Sequence, residues 1–179
     1  MKRFSFTFMA IAAMAFVMGA CSGNGNTSAS GEESSASGEE TNQVTYKNEQ
    51  FNFSVTLPEG FAQQNDDKQM EAERGGKLFI SNGCMIDATG TKINPNFTIE
   101  DDYNYIIGVY EDDENSTLIS KELAGDHYLV KGKDQFGLRA HYKVRGNDKE
   151  VDIQFTYPTD KQAEFDRDVD AVVKSLKID

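Results

Sequence analysis

The sequence predicts an α+β domain: an antiparallel sheet of about six to eight strands with two amphipathic helices packed on it, in the order ββββ-α-ββββ-α. Three observations predict it. Short runs of alternating apolar and polar residues recur after residue 44. The links between the later runs are a few residues long, which suits antiparallel neighbours, whereas parallel strands need long crossovers. Two segments carry a single apolar stripe at helical spacing, and such a helix must bury its stripe on another element.

Taken in order, Phe51, Phe53, Val55 and Leu57 alternate with Asn52, Ser54 and Thr56, a half-buried strand closed by Pro58-Glu59-Gly60. Leu78 to Ser81 and Cys84 to Ala88 read as a hairpin turning at Asn82-Gly83, since both turn residues tolerate positive φ. Ile99, Tyr103, Ile106, Ile107 and Tyr110 form the first helical stripe. Strands are then expected at Leu118–Leu123, Tyr128–Gly132, Phe136–Val144 and Val151–Tyr157, with turns at 125–126, 133–135 and 146–148. Phe165, Val169, Val172, Val173 and Leu176 repeat the helical spacing at the end of the chain. Both helices open on a capping-box pattern, Thr98 with Asp101 and Thr159 with Gln162. Several strands are strongly polar on their second face, so one side of the sheet is expected to be less covered.

The first 20 residues read as a secretory signal: Lys2 and Arg3, an uncharged run from Phe4 to Ala20, and small residues at its end. Met18-Gly19-Ala20-Cys21 resembles the lipobox of bacterial lipoproteins, with methionine where leucine is usual. That resemblance implies cleavage before Cys21 and acylation of its thiol, with two or more chains for a stable hold. Ser22 after the anchor suits an outer-membrane destination in a two-membrane cell. Residues 22–43 lack any large apolar side chain and are expected to form an acidic Ser/Gly tether. A coil of that length spans about 25 Å. Residues 44–179 then form one domain.

The opening Tyr46-x-Asn48-x-x-Phe51-x-Phe53-x-Val55-x-Leu57-Pro58-x-Gly60-Phe61 resembles the start of domains with the PsbP-like (Mog-like) fold. The close is similar too: Tyr157-Pro158, Lys161, Phe165-Asp166, and a helix ending on Ser175-Leu176. Proteins of this fold include the photosystem extrinsic subunit, a Ran-GTPase partner and bacterial envelope lipoproteins of the DcrB type. The resemblance implies a docking or accessory role more than catalysis, and it transfers no site residue.

Few side chains are candidates for chemistry. Cys84 is in phase with Ile86 and Ala88, the core-facing set, where a thiol is inert. With Cys21 lipidated, it has no partner for an internal disulfide. His127 and His141 lie on polar strand faces and read as solvent-facing, and two histidines without a fixed carboxylate companion are weak evidence for a metal site. Glu100-Asp101-Asp102 falls in a helix's first turn, where negative charge offsets the dipole. Glu111-Asp112-Asp113-Glu114 reads as a solvated loop rather than a calcium site, because no Asp-x-Asp-x-Asp-Gly loop is present. No metal or cofactor is expected.

The most distinctive candidate is basic. Arg139, His141, Lys143 and Arg145 alternate along one strand and so share a face, with Lys131 and Lys133 as a possible extension. Two readings stand. The row receives an anionic ligand or an acidic partner surface, or it pairs across the sheet with Glu150 and Asp152. Removal of residues 1–20 takes away two basic residues and leaves 16 basic and 30 acidic, a formal charge of −14. That balance argues against nucleic acid, whose binding runs on Lys and Arg. The expected function is a membrane-anchored, non-enzymatic binding or accessory domain that docks on an envelope protein or an anionic ligand. A hydrolase using surface carboxylates and a purely structural surface lipoprotein are the alternatives.

Overall fold

Alternating side chains demand a sheet with a dry face, and the structure provides one. It is a computed structural model that describes residues 43–64, 72 and 75–179; the expected signal peptide and all of the expected tether except Gln43 lie outside the described residues. The elements run β1 (Thr45–Asn48), β2 (Phe53–Thr56), β3 (Ala62–Gln63), β4 (Gly76–Ser81), β5 (Cys84–Lys92), α1 (Ile99–Glu111), β6 (Thr117–Ala124), β7 (His127–Asp134), β8 (Gly137–Arg145), β9 (Lys149–Tyr157), a 3-10 turn (Thr159–Lys161), α2 (Gln162–Ser175) and β10 (Lys177–Ile178). A seven-stranded antiparallel sheet has the order β3-β4-β5-β9-β8-β7-β6, and β1-β2-β10 form a second, three-stranded sheet. The α+β architecture is as expected. The separate small sheet is an addition: β2 falls within the alternating run Phe51 to Leu57, whereas its partners β1 and β10, of four and two residues, are too short to show a period.

The register assigns the two faces of the large sheet. Phe79, Ile86, Phe155 and Ala140 stand in one cross-strand row on the apolar face. Tyr46, Phe53, Val55 and Leu57 from the small sheet and Phe165, Val169 and Val172 from α2 close over that face as the main core. On the opposite face, α1 rests on β6, β7 and β8 and builds a smaller cluster around Ile107, Tyr110, Tyr128 and Val130. The second face is therefore covered in part, over the β6–β8 half.

Local chemistry sets the boundaries. Asn82 and Gly83 both take positive φ, 47° and 79°, the conformation of a two-residue hairpin turn. Thr98 caps α1 with the full reciprocal box: its hydroxyl accepts from Asp101 N, and the Asp101 carboxylate accepts from Thr98 N at 2.7 Å. The equivalent box expected at Thr159 and Gln162 does not form. Thr159 lies inside the 3-10 turn that follows the extended Pro158, so it is not at a cap position, and α2 starts after Lys161 without a side-chain cap. Phe136, expected to open a strand, instead occupies the β7–β8 turn, where Asp134 Oδ1 accepts from the Phe136 and Gly137 amides. Edge strand β6 carries Lys121 and Glu122 and a register shift between Leu118 and Ser120, devices that discourage pairing with another chain.

Candidate functional site

The alternating basic row does project from one face of β8, and that face lies beneath and beside α1. Arg139 Nε donates to Asp134 Oδ2 at 3.1 Å, and a second guanidinium nitrogen donates to Thr156 Oγ1. Lys143 Nζ sits 2.8 Å from Asp102 Oδ2 on α1 and 3.9 Å from both Glu150 Oε2 and Asp152 Oδ2 on β9. Arg145 pairs with the buried Glu150. The three cationic side chains are only 17–26% exposed. Of the two readings of the row, the geometry realises the cross-strand pairing with Glu150 and Asp152 and adds a tie to α1.

Lys131 and Lys133 do not extend the row. Lys131 is opposite Ala140 and Lys133 opposite Leu138, so both belong to the other face, and Lys131 there meets Asp166 and Asp170 of α2 at 3.4 and 3.3 Å. The same register separates the histidines. His141 is opposite Val130 and His127 opposite Val144, so they face opposite sides of the sheet. His127 pairs with Asp126 at 3.0 Å. His141 is not solvent-facing: it lies half-buried against the edge of the Tyr110 ring, with centroids 6.5 Å apart.

Burial makes this layer electrostatically unusual. Desolvation, with Arg139 and Lys143 on either side, pushes His141 down to about 4, so it is neutral at neutral pH. Desolvation raises Asp152 to about 6 against the opposing pull of Lys143, with Asp87 and Asp102 adding repulsion. Asp152 Oδ1 has no hydrogen-bond partner among the described residues. Among those residues, no group of three His, Cys, Asp or Glu side chains is arranged to hold a metal ion.

A second polar element lies under α2. Tyr157 Oη donates to Asp168 Oδ2 at 2.9 Å, both groups being buried, and Arg167 Nε donates to Asp168 Oδ1 at 2.9 Å from the surface. Burial and the Asp168 charge drive the Tyr157 phenol strongly upward, so it stays a donor. A cleft of about 700 Å³ opens beside it, between Leu57-Pro58-Glu59 and Arg167, Asp168 and Ser175. Tyr157→Phe removes the donor and leaves a buried carboxylate oxygen unmatched. The expected cost is about 1–3 kcal/mol in the urea unfolding free energy, with the secondary structure intact by circular dichroism. Cys84 lies in the same region. Burial pushes its thiol up, although Lys161 Nζ 3.7 Å away pulls the other way, and the side chain remains a core residue.

These faces can be set beside known structures. No family model matches the sequence, and no characterised protein sequence matches it. The solution structure of cyanobacterial PsbP (CyanoP) from Synechocystis matches at 13% identity over 82% of this chain and 98% of that one, with a TM-score of 0.58. The domain has the PsbP-like fold. A crystal structure from Bacteroides thetaiotaomicron is a looser match, at 15% identity over 71% of this chain and 45% of that one, with a TM-score of 0.46. At these identities the likeness is one of fold. The PsbP-like domain here exposes several large apolar side chains.

Sequence reasoning missed those side chains. Tyr105 and Val109 stand on the outer flank of α1 at 71% and 50% exposure, and Phe136 at the β7–β8 turn is 69% exposed beneath the Arg139 guanidinium. A signal for the first pair was present: both lie outside the helix's apolar stripe at a spacing of four residues, which stacks them on one face. The buried Asp168 had no such signal, because a carboxylate on a helix is exposed in most proteins.

Proposed function

We propose that this protein is a lipid-anchored accessory domain of the cell envelope that works by docking on another envelope protein, without catalysis of its own. What supports the non-catalytic reading is the internal use of its reactive groups. Lys143 is shared among three carboxylates, His141 is held neutral by burial between Arg139 and Lys143, and the Tyr157 phenol is committed to Asp168. A nucleophile needs a base within hydrogen-bond reach, and the buried Cys84 thiol has an ammonium instead. The fold shared with CyanoP is compatible with that role.

The anchor rests on Met18-Gly19-Ala20-Cys21, and Ser22 favours the outer membrane as the destination. Among the described residues no helix is long and apolar enough to cross a membrane. Acyl chains on Cys21 then provide the attachment, and residues 22–43 let the domain work away from the bilayer. The test is to express wild type and Cys21→Ser, separate membranes by flotation, and partition each in detergent. Wild type should float with vesicles and enter the detergent phase, while Cys21→Ser should move almost wholly to the aqueous phase. If Cys21→Ser stays with the membranes like the parent, the lipid anchor is wrong. Docking is tested by reversible crosslinking of the anchored protein in intact envelopes, and recovery of the domain free of any reproducible partner would count against it.

A further inference from the structure

The inner stripe of α1 has a counterpart on its outer side. Asp101, Tyr105, Gly108, Val109 and Asp112 repeat the spacing of Ile99, Tyr103, Ile106, Ile107 and Tyr110, displaced by two residues, which places them across the helix. Tyr105 and Val109 are exposed, as are Asp101 and Asp112 at the two ends of the row. Scattered exposed apolar residues are ordinary. Gly108 is not. Glycine inside a helix is less stable than alanine, and a Cβ added at Gly108 would meet nothing within 4 Å. Its backbone is helical, so no positive φ requires it. The fold itself therefore supplies no reason for a glycine there. A partner's backbone passing close to the helix would supply one, since the missing side chain leaves a notch beside Tyr105 and Val109.

The charges indicate what kind of partner fits. Helix α1 carries no basic residue; of its carboxylates Asp102 is paired with Lys143 and Glu111 lies 3.9 Å from Lys121, so the charge of the flank rests on Asp101 and, at the cap, Asp112. A second copy of the chain is a poor occupant, because a two-fold pairing of this flank brings Asp101 of one copy against Asp112 of the other. We infer that the outer flank of α1 is a docking face for a partner-protein segment that carries Lys or Arg beside an apolar anchor, with its backbone seated over Gly108. Tyr105 supplies the aromatic contact, and the two carboxylates bracket it. This inference rests on the docking reading given above and identifies the face and the partner's chemistry.

The test uses the full lipidated chain in phosphatidylcholine nanodiscs, whose neutral surface does not attract a basic peptide. The probes are a fluorescent amphipathic Lys/Leu peptide and its Glu/Leu counterpart, followed by anisotropy at low salt. The Lys/Leu peptide should bind and the Glu/Leu peptide should not. Tyr105→Ser should weaken binding about tenfold, and Asp112→Asn a few-fold. Gly108→Ala is the decisive variant, because it should weaken binding about fivefold while slowing amide exchange in α1. Slower exchange with unchanged affinity would overturn the inference, as would equal binding of the Glu/Leu peptide. A dimer that Tyr105→Ser dissociates would assign the face to a second copy and overturn it as well. If crosslinking in envelopes still captures a partner after these α1 substitutions, docking stands and this face does not.

Discussion

Gly132→Ala is expected to destabilise the domain by about 2–4 kcal/mol, a large effect for one methyl group. The reason is where that methyl must go. A Cβ at Gly132 of β7 would lie 2.3 Å from Cε1 and 2.5 Å from Cζ of the Tyr110 ring, well inside contact distance. Tyr110 is buried at the centre of the smaller cluster, with Ile107, Tyr128 and Val130. Either the ring leaves, and the cluster loses its largest α1 contribution, or the helix lifts from the sheet. Lifting also pulls Asp102 from Lys143. Urea unfolding should show the loss, and amide exchange should accelerate in α1 more than in β5 and β9 of the main core. A double-mutant cycle isolates the contact. In a Tyr110→Ala background the added methyl has room, so Gly132→Ala should cost little there, leaving a coupling of about 1–3 kcal/mol. Additive losses would mean that Tyr110 does not seat on Gly132.

The second large effect is a pair of opposing pH dependences that nearly cancel in the wild type. His141 is depressed to about 4 in the folded protein from an ordinary 6.5. Between those values the unfolded chain binds more protons than the native one, so the His141 contribution is full above pH 6.5 and is lost as pH falls toward 4. Asp152 is raised to about 6 from 3.8. Its native state binds the extra proton, so its contribution is full below pH 3.8 and is lost as pH rises through 6. Each shift corresponds to about 3 kcal/mol at most. Across pH 4–6 the two slopes oppose each other. Asp152→Asn removes one slope and should leave a domain that is more stable at pH 7 yet loses stability steeply on acidification from 6.5 to 4. His141→Gln should do the reverse, with little change at pH 7 and a gain of about 2 kcal/mol near pH 4.5. Urea midpoints measured at intervals from pH 4 to 7 separate the cases. Parallel profiles for all three proteins would place both side chains in water, contrary to their position beneath α1.

These expectations depend on features that were only partly visible in the chain. Strands β2, β5, β8 and β9 were legible because each has one dry face, so burial imposes a period of two. Helix α1 was legible from both its stripe and its Thr98 cap, since the cap depends on residues three apart. Strands β1, β3 and β10 were not, because two to four residues hold too few alternations. The Thr159 box failed although its residue types were right, because Thr159 falls within a 3-10 turn, one turn ahead of the helix, and not at its cap.

The amino-acid order by itself determined the fold class, the core-facing set and the alternation that puts Arg139, His141, Lys143 and Arg145 on one face. It also carried the lipobox-like run at its start. Only the tertiary structure decided what lies over that face. Side-chain alternation is set by the pleat of one strand, whereas exposure depends on which distant element packs there. Here α1, about 30 to 40 residues earlier in the chain, brings Asp102 to Lys143 and Tyr110 to His141. That arrival turned an apparent cationic surface into a neutralised inner layer and left the outer flank of the helix, not the strand, facing the solvent.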